Sequence, residues 1–282
     1  MRRFMLVLTV ASLGACNSNI GNNETAQVEP TPAALTYDGA DYGEDQLAML
    51  AHGERLSHVL GCRGCHTGNL TGQRFPPEED FPDTGIYASN ITRVMPTMTD
   101  EQLDALIRKG VHPTRETMWM MPSEIFQFLS DADVKALIAH LRTVEPTGEP
   151  TPPPAPTEAF LAMVANGQQN PPVAAMVAVH QKNQPEDLGP EFALGRYVAM
   201  TTCAECHAAK LEGYENFTPD LRDVSPMYDE AAFRKLLTTG EGLEGRKLGL
   251  MALVGQAHFG SLTENERSAV IAYLKKLAEQ PR

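Results

Sequence analysis

Two pentapeptides of this chain, residues 62–66 (CRGCH) and 203–207 (CAECH), share the spacing C-x-x-C-H. This spacing lets two thiols bond covalently to the two vinyl groups of one haem, and the adjoining histidine is then held under the iron as its proximal ligand. The two copies use four of only five cysteines, so chance explains them poorly. The sequence therefore predicts two covalently bound haem c groups. The residues predicted to hold them are Cys62, Cys65, His66, Cys203, Cys206 and His207.

A zinc site is the alternative use of paired cysteines. The second cysteine of one pair, Cys65, lies 138 positions before the first cysteine of the next, Cys203. Zinc-binding pairs are usually separated by about 15–20 residues. A zinc site also gives no reason for the histidine that follows each pair, and the haem interpretation is favoured.

Length and charge limit the class of protein. A chain of 282 residues has room for one large domain or for two of about 100–150 residues. Its hydrophobic fraction of 42% and charged fraction of 21% are typical of a soluble globular protein. The net charge of −13, to which haem propionates would add, argues against nucleic acid as a partner. It favours a redox protein partner with a basic docking face.

The first fifteen residues are typical of an export signal. Arg2 and Arg3 precede a mostly apolar stretch that is too short to span a bilayer. The stretch ends in the letters LGAC, which resemble a bacterial lipoprotein signal in which Cys16 carries the lipid. An ordinary secretory signal with an incidental cysteine is the alternative. With Asn17 after the cysteine, we expect a lipid anchor on the periplasmic side of the cell envelope, at the outer membrane rather than the inner.

Shifts in composition divide the chain into five parts. Residues rich in Asn, Thr, Glu and Pro follow the signal and predict a flexible tether. A second proline-rich run, EPTGEPTPPPAP, predicts an extended linker, and short helices are expected after it at 158–165 and 173–181. The predicted parts are a signal at 1–15, a tether at 16–42, a first domain at 43–145, a linker at 146–188 and a second domain at 189–282.

The two halves repeat one helical pattern. Each has a short helix before its first cysteine, a capped middle helix that ends near a glycine, and a capped amphipathic last helix. Thr263 and Glu266 form a capping box at the start of the final helix. Neither half shows a β-strand pattern of any length, so the sequence predicts a mainly helical protein.

This order of helix, C-x-x-C-H, middle helix, methionine and last helix resembles a class I cytochrome c domain. Together the halves resemble dihaem cytochromes c of bacterial envelopes, which are related to the cytochrome subunits of periplasmic dehydrogenases. The resemblance implies an all-α fold with two tandem cytochrome c-like domains joined by a proline-rich linker. It also implies that a backbone carbonyl in the following loop accepts from each proximal histidine. Residues 218–220 are the candidate stretch in the second half.

The distal ligand of the first haem is expected to be Met121. In the resembled family the distal methionine precedes a proline, and Met121 lies before Pro122, shortly ahead of the last helix. Met118 and Met120 are close rivals in the same stretch. Met95 also precedes a proline but lies before the middle helix, where the family has no ligand.

The distal ligand of the second haem is expected to be Met251. It lies twelve residues before the cap Thr263, a spacing close to that of Met121 from Ser130. His258 is the competitor and would give a haem with two histidine ligands and a lower potential. Met227 lies before the middle helix and is the poorer choice.

Two functions remain open at this point. An electron carrier needs both irons closed by a histidine and a methionine, whereas a dihaem peroxidase or thiosulfate-type dehydrogenase needs an open or exchangeable position. Methionine candidates in both halves favour the carrier. Other residues are expected near the haems: the loop arginines Arg74, Arg93 and Arg222 near propionates, and Trp119 against the first haem or in the core.

Overall fold

Helices dominate both halves of the chain in the computed structural model, which describes residues 35–76 and 82–281. The all-α prediction is confirmed. The first half contains α1 (Gln46–Val59), α2 (Cys62–Cys65), α3 (Ile91–Val94), α4 (Asp100–Lys109), α5 (Ser123–Phe126) and α6 (Asp131–Arg142). The middle segment contains α7 (Glu158–Ala165) and α8 (Val173–Lys182). The second half contains α9 (Ala193–Val198), α10 (Ala204–His207), α11 (Leu221–Val224), α12 (Glu230–Thr239), α13 (Leu250–Ala257) and α14 (Glu264–Ala278).

Short 3-10 helices and a π-helix join these α-helices. A π-helix covers Ala199–Cys203 and leads into the second haem motif. The 3-10 helices are Met95–Thr97, Pro190–Phe192, Ser225–Met227, Leu243–Gly245 and Phe259–Ser261.

The first half also holds a small β-hairpin that the sequence did not predict. Strand β1 (Gln73–Phe75) pairs antiparallel with β2 (Ile86–Ala88), and Arg74 lies opposite Tyr87. Three residues are too few to show the alternation of apolar and polar positions by which a strand is recognised. The hairpin is a small addition to the mainly helical fold that the sequence predicts.

The predicted helix caps are confirmed. Thr99 and Thr263 each form a capping box, with Gln102 and Glu266 as the reciprocal partners. The middle helices end at Gly110 and Gly240, whose φ angles of 65° and 73° are the left-handed conformation that closes a helix. Local sequence rules thus set where these helices begin and end.

In each half the first helix crosses the last helix at a glycine. A Cβ on Gly53 in α1 would strike the carbonyl of Ala136 in α6, and a Cβ on Gly195 in α9 would strike the carbonyl of Ala269 in α14. The buried apolar faces of α6 and α14 lie at these crossings, as their periodicity predicts. The crossings place the turn that carries each cysteine pair beside the core.

The segment before α1 is packed between the halves. Tyr37, at the end of the predicted tether, is 1% exposed; its hydroxyl lies 2.6 Å from Oγ1 of Thr201, and its amide donates to Asp133 over 3.2 Å. Residues 35–42 therefore form part of the folded unit. The rest of the predicted tether, the signal and Cys16 lie outside the described residues.

The predicted linker is packed against the first half. Asn90 donates from its side-chain amide to the carbonyls of Thr147 and Glu149, at 2.8 and 2.9 Å, and the amide of Ala155 donates to Gly85 over 2.8 Å. The helix expected at 158–165 is confirmed, and the one expected at 173–181 ends one residue later. This segment is therefore folded together with the first half.

Candidate functional site

The first C-x-x-C-H motif opens onto a cavity. Cys62 and Cys65 lie on α2, the one-turn helix that follows α1, and both line the cavity together with His66. The Nδ1 atom of His66 lies 2.7 Å from the backbone carbonyl oxygen of Ser89. A carbonyl oxygen only accepts, so Nδ1 carries the proton and Nε2 keeps a free lone pair for a metal ion. Burial lowers the pKa of His66, which also favours this neutral form.

The second motif repeats this arrangement. Cys203 ends the π-helix, and Cys206 and His207 follow on α10. The Nδ1 atom of His207 lies 2.8 Å from the carbonyl oxygen of Pro219. The expected acceptor stretch at 218–220 is thus confirmed, and burial lowers the pKa of His207 as it does that of His66.

The four motif cysteines suit thioether formation rather than metal binding. None of them is in a disulfide. Burial raises the pKa to about 11 for Cys62 and Cys203, and to about 12 for Cys65 and Cys206. Among the described residues, no group of three or more histidine, cysteine, aspartate or glutamate side chains is arranged to hold a metal ion. Neutral thiols in apolar surroundings, each pair beside a histidine with one free nitrogen, fit the vinyl groups and iron of a haem.

Methionines lie on the wall of the first cavity. Met118, Met120 and Met121 all line it, in the loop between α4 and α5. Met95 lines it as well, although it comes before α4. Met121 also packs on the core. The structure brings all of these candidates to the same cavity as His66 and does not separate them.

The surroundings of the second motif are also apolar. Cys203 lies beside a narrow space that Leu237, Phe259 and Leu274 line. Met251, the second residue of α13, is partly buried against the core. Met227 is 60% exposed, so its side chain is largely directed to solvent. Met251 therefore remains the candidate for the distal ligand of the second haem.

His258 lies against the first motif rather than the second. A Cβ on Gly64 would come within 3.0 Å of its Nε2, one on Gly61 would be 2.9 Å from its Cε1, and the ring lines the first cavity. The residue comes from the second half, at the end of α13. No sequence pattern pointed to this placement, because it depends on how the halves pack.

Glu205 makes a second connection between the halves. It belongs to the second motif, yet it lines the cavity of the first. Its side chain is exposed at the cavity, and desolvation by the surrounding protein raises its pKa to about 7. The two motifs therefore share a wall, which the sequence did not predict.

The arginines have varied surroundings. Arg93 donates to the carbonyl of Gly148 over 3.0 Å, and Arg222 lies 3.6 Å from the carboxylate of Glu186. Arg74 lies on β1. Arg115, which the sequence analysis did not single out, lines the first cavity. Trp119 also lines this cavity and packs edge-on against the ring of Phe160.

Comparison with known proteins decides the family. The family described as "Cytochrome c" matches residues 50–145 and 192–278. The chain belongs to the cytochrome c family. Each matched region contains one C-x-x-C-H motif, so this cytochrome binds two covalent haem c groups. It is an electron-transfer cytochrome.

Two relatives of this cytochrome are dehydrogenase subunits. It is 24% identical over 286 residues to the fructose dehydrogenase cytochrome subunit of Gluconobacter japonicus, covering 91% of this chain and 56% of the relative. It is 25% identical over 285 residues to the gluconate 2-dehydrogenase cytochrome c subunit of Pantoea cypripedii, covering 86% of this chain and 63% of the relative. The chain thus spans less than two thirds of the length of each relative.

Proposed function

We infer that this cytochrome passes electrons between a dehydrogenase and an acceptor in the bacterial cell envelope, with both irons closed by a histidine and a methionine. The first haem is held by Cys62, Cys65, His66 and Met121. The second is held by Cys203, Cys206, His207 and Met251. The observation that supports this best is the pair of proximal histidines, each with Nδ1 against a backbone carbonyl and Nε2 free.

The surrounding residues suit a carrier. A haem supplies a one-electron couple, and a thioether ligand favours its reduced state. Apolar walls such as Leu103, Ile107 and Phe126 keep water from the first site. Glu205 lines one site while belonging to the motif of the other, which supports direct electron transfer between the two haems.

The two relatives suggest the electron donor of this cytochrome, and its net charge suggests the surface of the partner. The relatives are named as cytochrome subunits of a fructose dehydrogenase and a gluconate 2-dehydrogenase, so we propose a dehydrogenase as the electron donor. The net charge of −13 favours a partner that presents a basic face, because opposite charges steer short-lived redox encounters.

The location is proposed from the N-terminal signal. No helix within the described ranges is both long and apolar enough to cross a bilayer. Lipid on Cys16 would anchor the protein on the periplasmic side, at the outer membrane. Replacing Cys16→Ser should move the haem protein from the membrane fraction to the soluble fraction. If the variant stays with the membrane to the same extent, the lipid anchor is wrong.

The ligands are tested by spectroscopy of the oxidised holoprotein. A methionine bound to ferric haem gives a charge-transfer band in the red to near-infrared region. We expect a band intensity that corresponds to two such haems. Met121→Leu should remove half of it, while Met118→Leu and Met120→Leu, on the same loop, should not. A wild-type protein with only one methionine-type haem would instead support an enzyme with an exchangeable site.

The partner is tested by co-purification. Protein isolated from detergent-solubilised membranes should carry a dehydrogenase in a fixed ratio, and that enzyme's substrate should reduce both haems. A redox titration of the same sample then gives both potentials. Reduction of only one haem would contradict transfer between the two sites.

A further inference from the structure

The segment between the two halves supports the loop that carries the first site's methionines. This loop, residues 118–121, is tightly turned: the amide of Met121 donates to the carbonyl of Trp119 over 2.8 Å, and Met120 has a φ angle of 63°. A non-glycine residue in this left-handed region is strained and persists only where its surroundings hold it. The loop therefore needs support from outside itself.

Phe160, on α7, supplies packing. Its side chain is 1% exposed, and its ring meets the ring of Trp119 at 81° with 5.3 Å between the centroids. Edge-to-face contacts of this kind are stabilising beyond the area they bury. Trp119, which lies between Met118 and Met120 in the sequence, lines the cavity. Phe160 therefore packs against a residue of the cavity wall.

Val173, the first residue of α8, supplies a hydrogen bond. Its amide donates to the carbonyl oxygen of Met118 over 3.0 Å. Its side chain is 2% exposed and lies so close to Gly110 that a Cβ there would clash with it. Further along α8, the carbonyl of Val177 accepts from the side-chain amide of Gln127 over 3.0 Å. The helix is thus fixed to both ends of the region that holds the loop.

The start of α7 is fixed to the first half as well. The amide of Thr157 donates to the carbonyl of Thr84 over 3.1 Å, and its hydroxyl donates to the carbonyl of Asp83 over 2.8 Å. Pro154, just before it, lines the cavity. The middle segment therefore forms part of the wall of the first site, although it lies outside both regions that match the cytochrome c family.

We propose that this middle segment is a positioning element of the first haem site, in which Phe160 and Val173 hold the 118–121 loop so that its methionine stays on the iron. The proposal rests on the methionine ligation inferred above. Without the segment, the loop can relax its strained turn, the methionine leaves, and the iron becomes open to external ligands. The segment thus determines whether the first haem serves as an electron carrier or binds external ligands.

Two variants test this in the holoprotein. Phe160→Ala removes the packing on Trp119, with Leu161→Ala on the same helix as control, since Leu161 is 44% exposed. Val173→Pro removes the amide donor and also replaces the buried side chain. Proline is tolerated at the first position of a helix, and Pro172 before it already has an extended conformation (φ −48°, ψ 144°). Val173→Ala is its control, because it keeps the donor and loses volume.

The measurements are made in a Met251→Ala background, where the remaining methionine–iron band reports the first haem alone. We expect Phe160→Ala and Val173→Pro to weaken that band and to raise the affinity of the ferric protein for cyanide. For Val173→Pro the increase should be about fivefold, the factor that corresponds to loss of one hydrogen bond. Leu161→Ala and Val173→Ala should leave both readouts near the background values.

Each outcome decides the proposal. Bands and cyanide affinities that match those of the controls overturn it. If Phe160→Ala yields no folded holoprotein, the comparison of Val173→Pro with Val173→Ala decides alone. If the Met251→Ala protein has no methionine band before any further change, the ligation inferred for the first haem is wrong and the proposal falls with it. A methionine–iron band that is present but unchanged by Phe160→Ala and Val173→Pro refutes only the positioning role of the middle segment.

Discussion

Arg55 and Tyr197 stand at the same position of the repeat, and each binds a carboxylate in the opposite half. Both lie two residues after a helix-crossing glycine. Arg55 holds Glu266 through two bonds of 2.7 and 3.0 Å, and the Tyr197 hydroxyl donates to Asp133 over 2.7 Å. The two carboxylates are themselves equivalent, three residues after the caps of the last helices. The interface is therefore reciprocal: the first helix of each half binds the start of the last helix of the other.

Removing Arg55 should destabilise the fold more than removing the Tyr197 hydroxyl. The side chain of Glu266 is fully buried and that of Arg55 is 22% exposed, so Arg55→Leu leaves a buried charge without its cationic partner. We expect a loss of about 3 kcal/mol in the free energy of unfolding, measured by urea titration of the holoprotein. Tyr197→Phe should cost about 1 kcal/mol, because Asp133 keeps other donors.

Lys235→Ala is the control for this pair. Lys235 pairs with Glu241 over 2.6 Å, but the two side chains are 54% and 42% exposed. An exposed pair contributes at most about 1 kcal/mol. If Arg55→Leu unfolds at the same urea concentration as Lys235→Ala, the reciprocal ion pair does not hold the halves together.

A methyl group at either helix crossing should be costly. In Gly195→Ala the new Cβ would meet the carbonyl of Ala269 and the side chain of Tyr273, so α9 must move away from α14. We expect a loss of about 2–3 kcal/mol in the free energy of unfolding. Gly68→Ala is a matched control, because nothing lies within 4 Å of a Cβ there. Equal stabilities would show that the crossing tolerates a wider separation.

The sequence was sufficient where a rule acts over a few residues. The cap at Thr99, the capping box at Thr263, the closing glycine Gly110 and the paired haem motifs all depend on residues within one or two turns, and the structure has each of these helices. The acceptor for His207 was found because it lies in the loop directly after the motif.

The sequence was insufficient where two distant segments meet. Ser89 accepts from His66 across 23 positions, and Glu205 reaches the cavity of the other motif only because the halves pack together. The contact between Phe160 and Trp119 likewise joins a segment that reads as a linker to a loop of the first half. No local pattern encodes such contacts, since they arise from the packing of complete helices.

Glu124 should make stability depend on pH. Its side chain is 5% exposed, and burial raises its pKa from 4.5 to about 8. The folded state thus favours the protonated carboxyl, so this group stabilises the fold fully below pH 4.5, and the contribution is lost as the pH rises toward 8. Glu124→Gln should be more stable than wild type at pH 8, with the difference shrinking toward pH 5. The exposed Glu116→Gln is the control. A difference that is constant between pH 5 and pH 8 would assign the effect to packing instead.

Met251 and His258 should have separable effects on the two haems. They lie at opposite ends of α13, and seven residues of helix correspond to about 10 Å. The ring of His258 lies close to Gly61 and Gly64 at the first motif, whereas Met251 is partly buried against the core. Met251→Ala should therefore remove one of the two methionine–iron bands of the oxidised protein. His258→Ala should keep both bands and shift the potential of the first haem only, as a redox titration would show. If His258→Ala instead converts the second haem, the iron there has two histidine ligands, and the carrier works at a lower potential than two histidine–methionine haems would give.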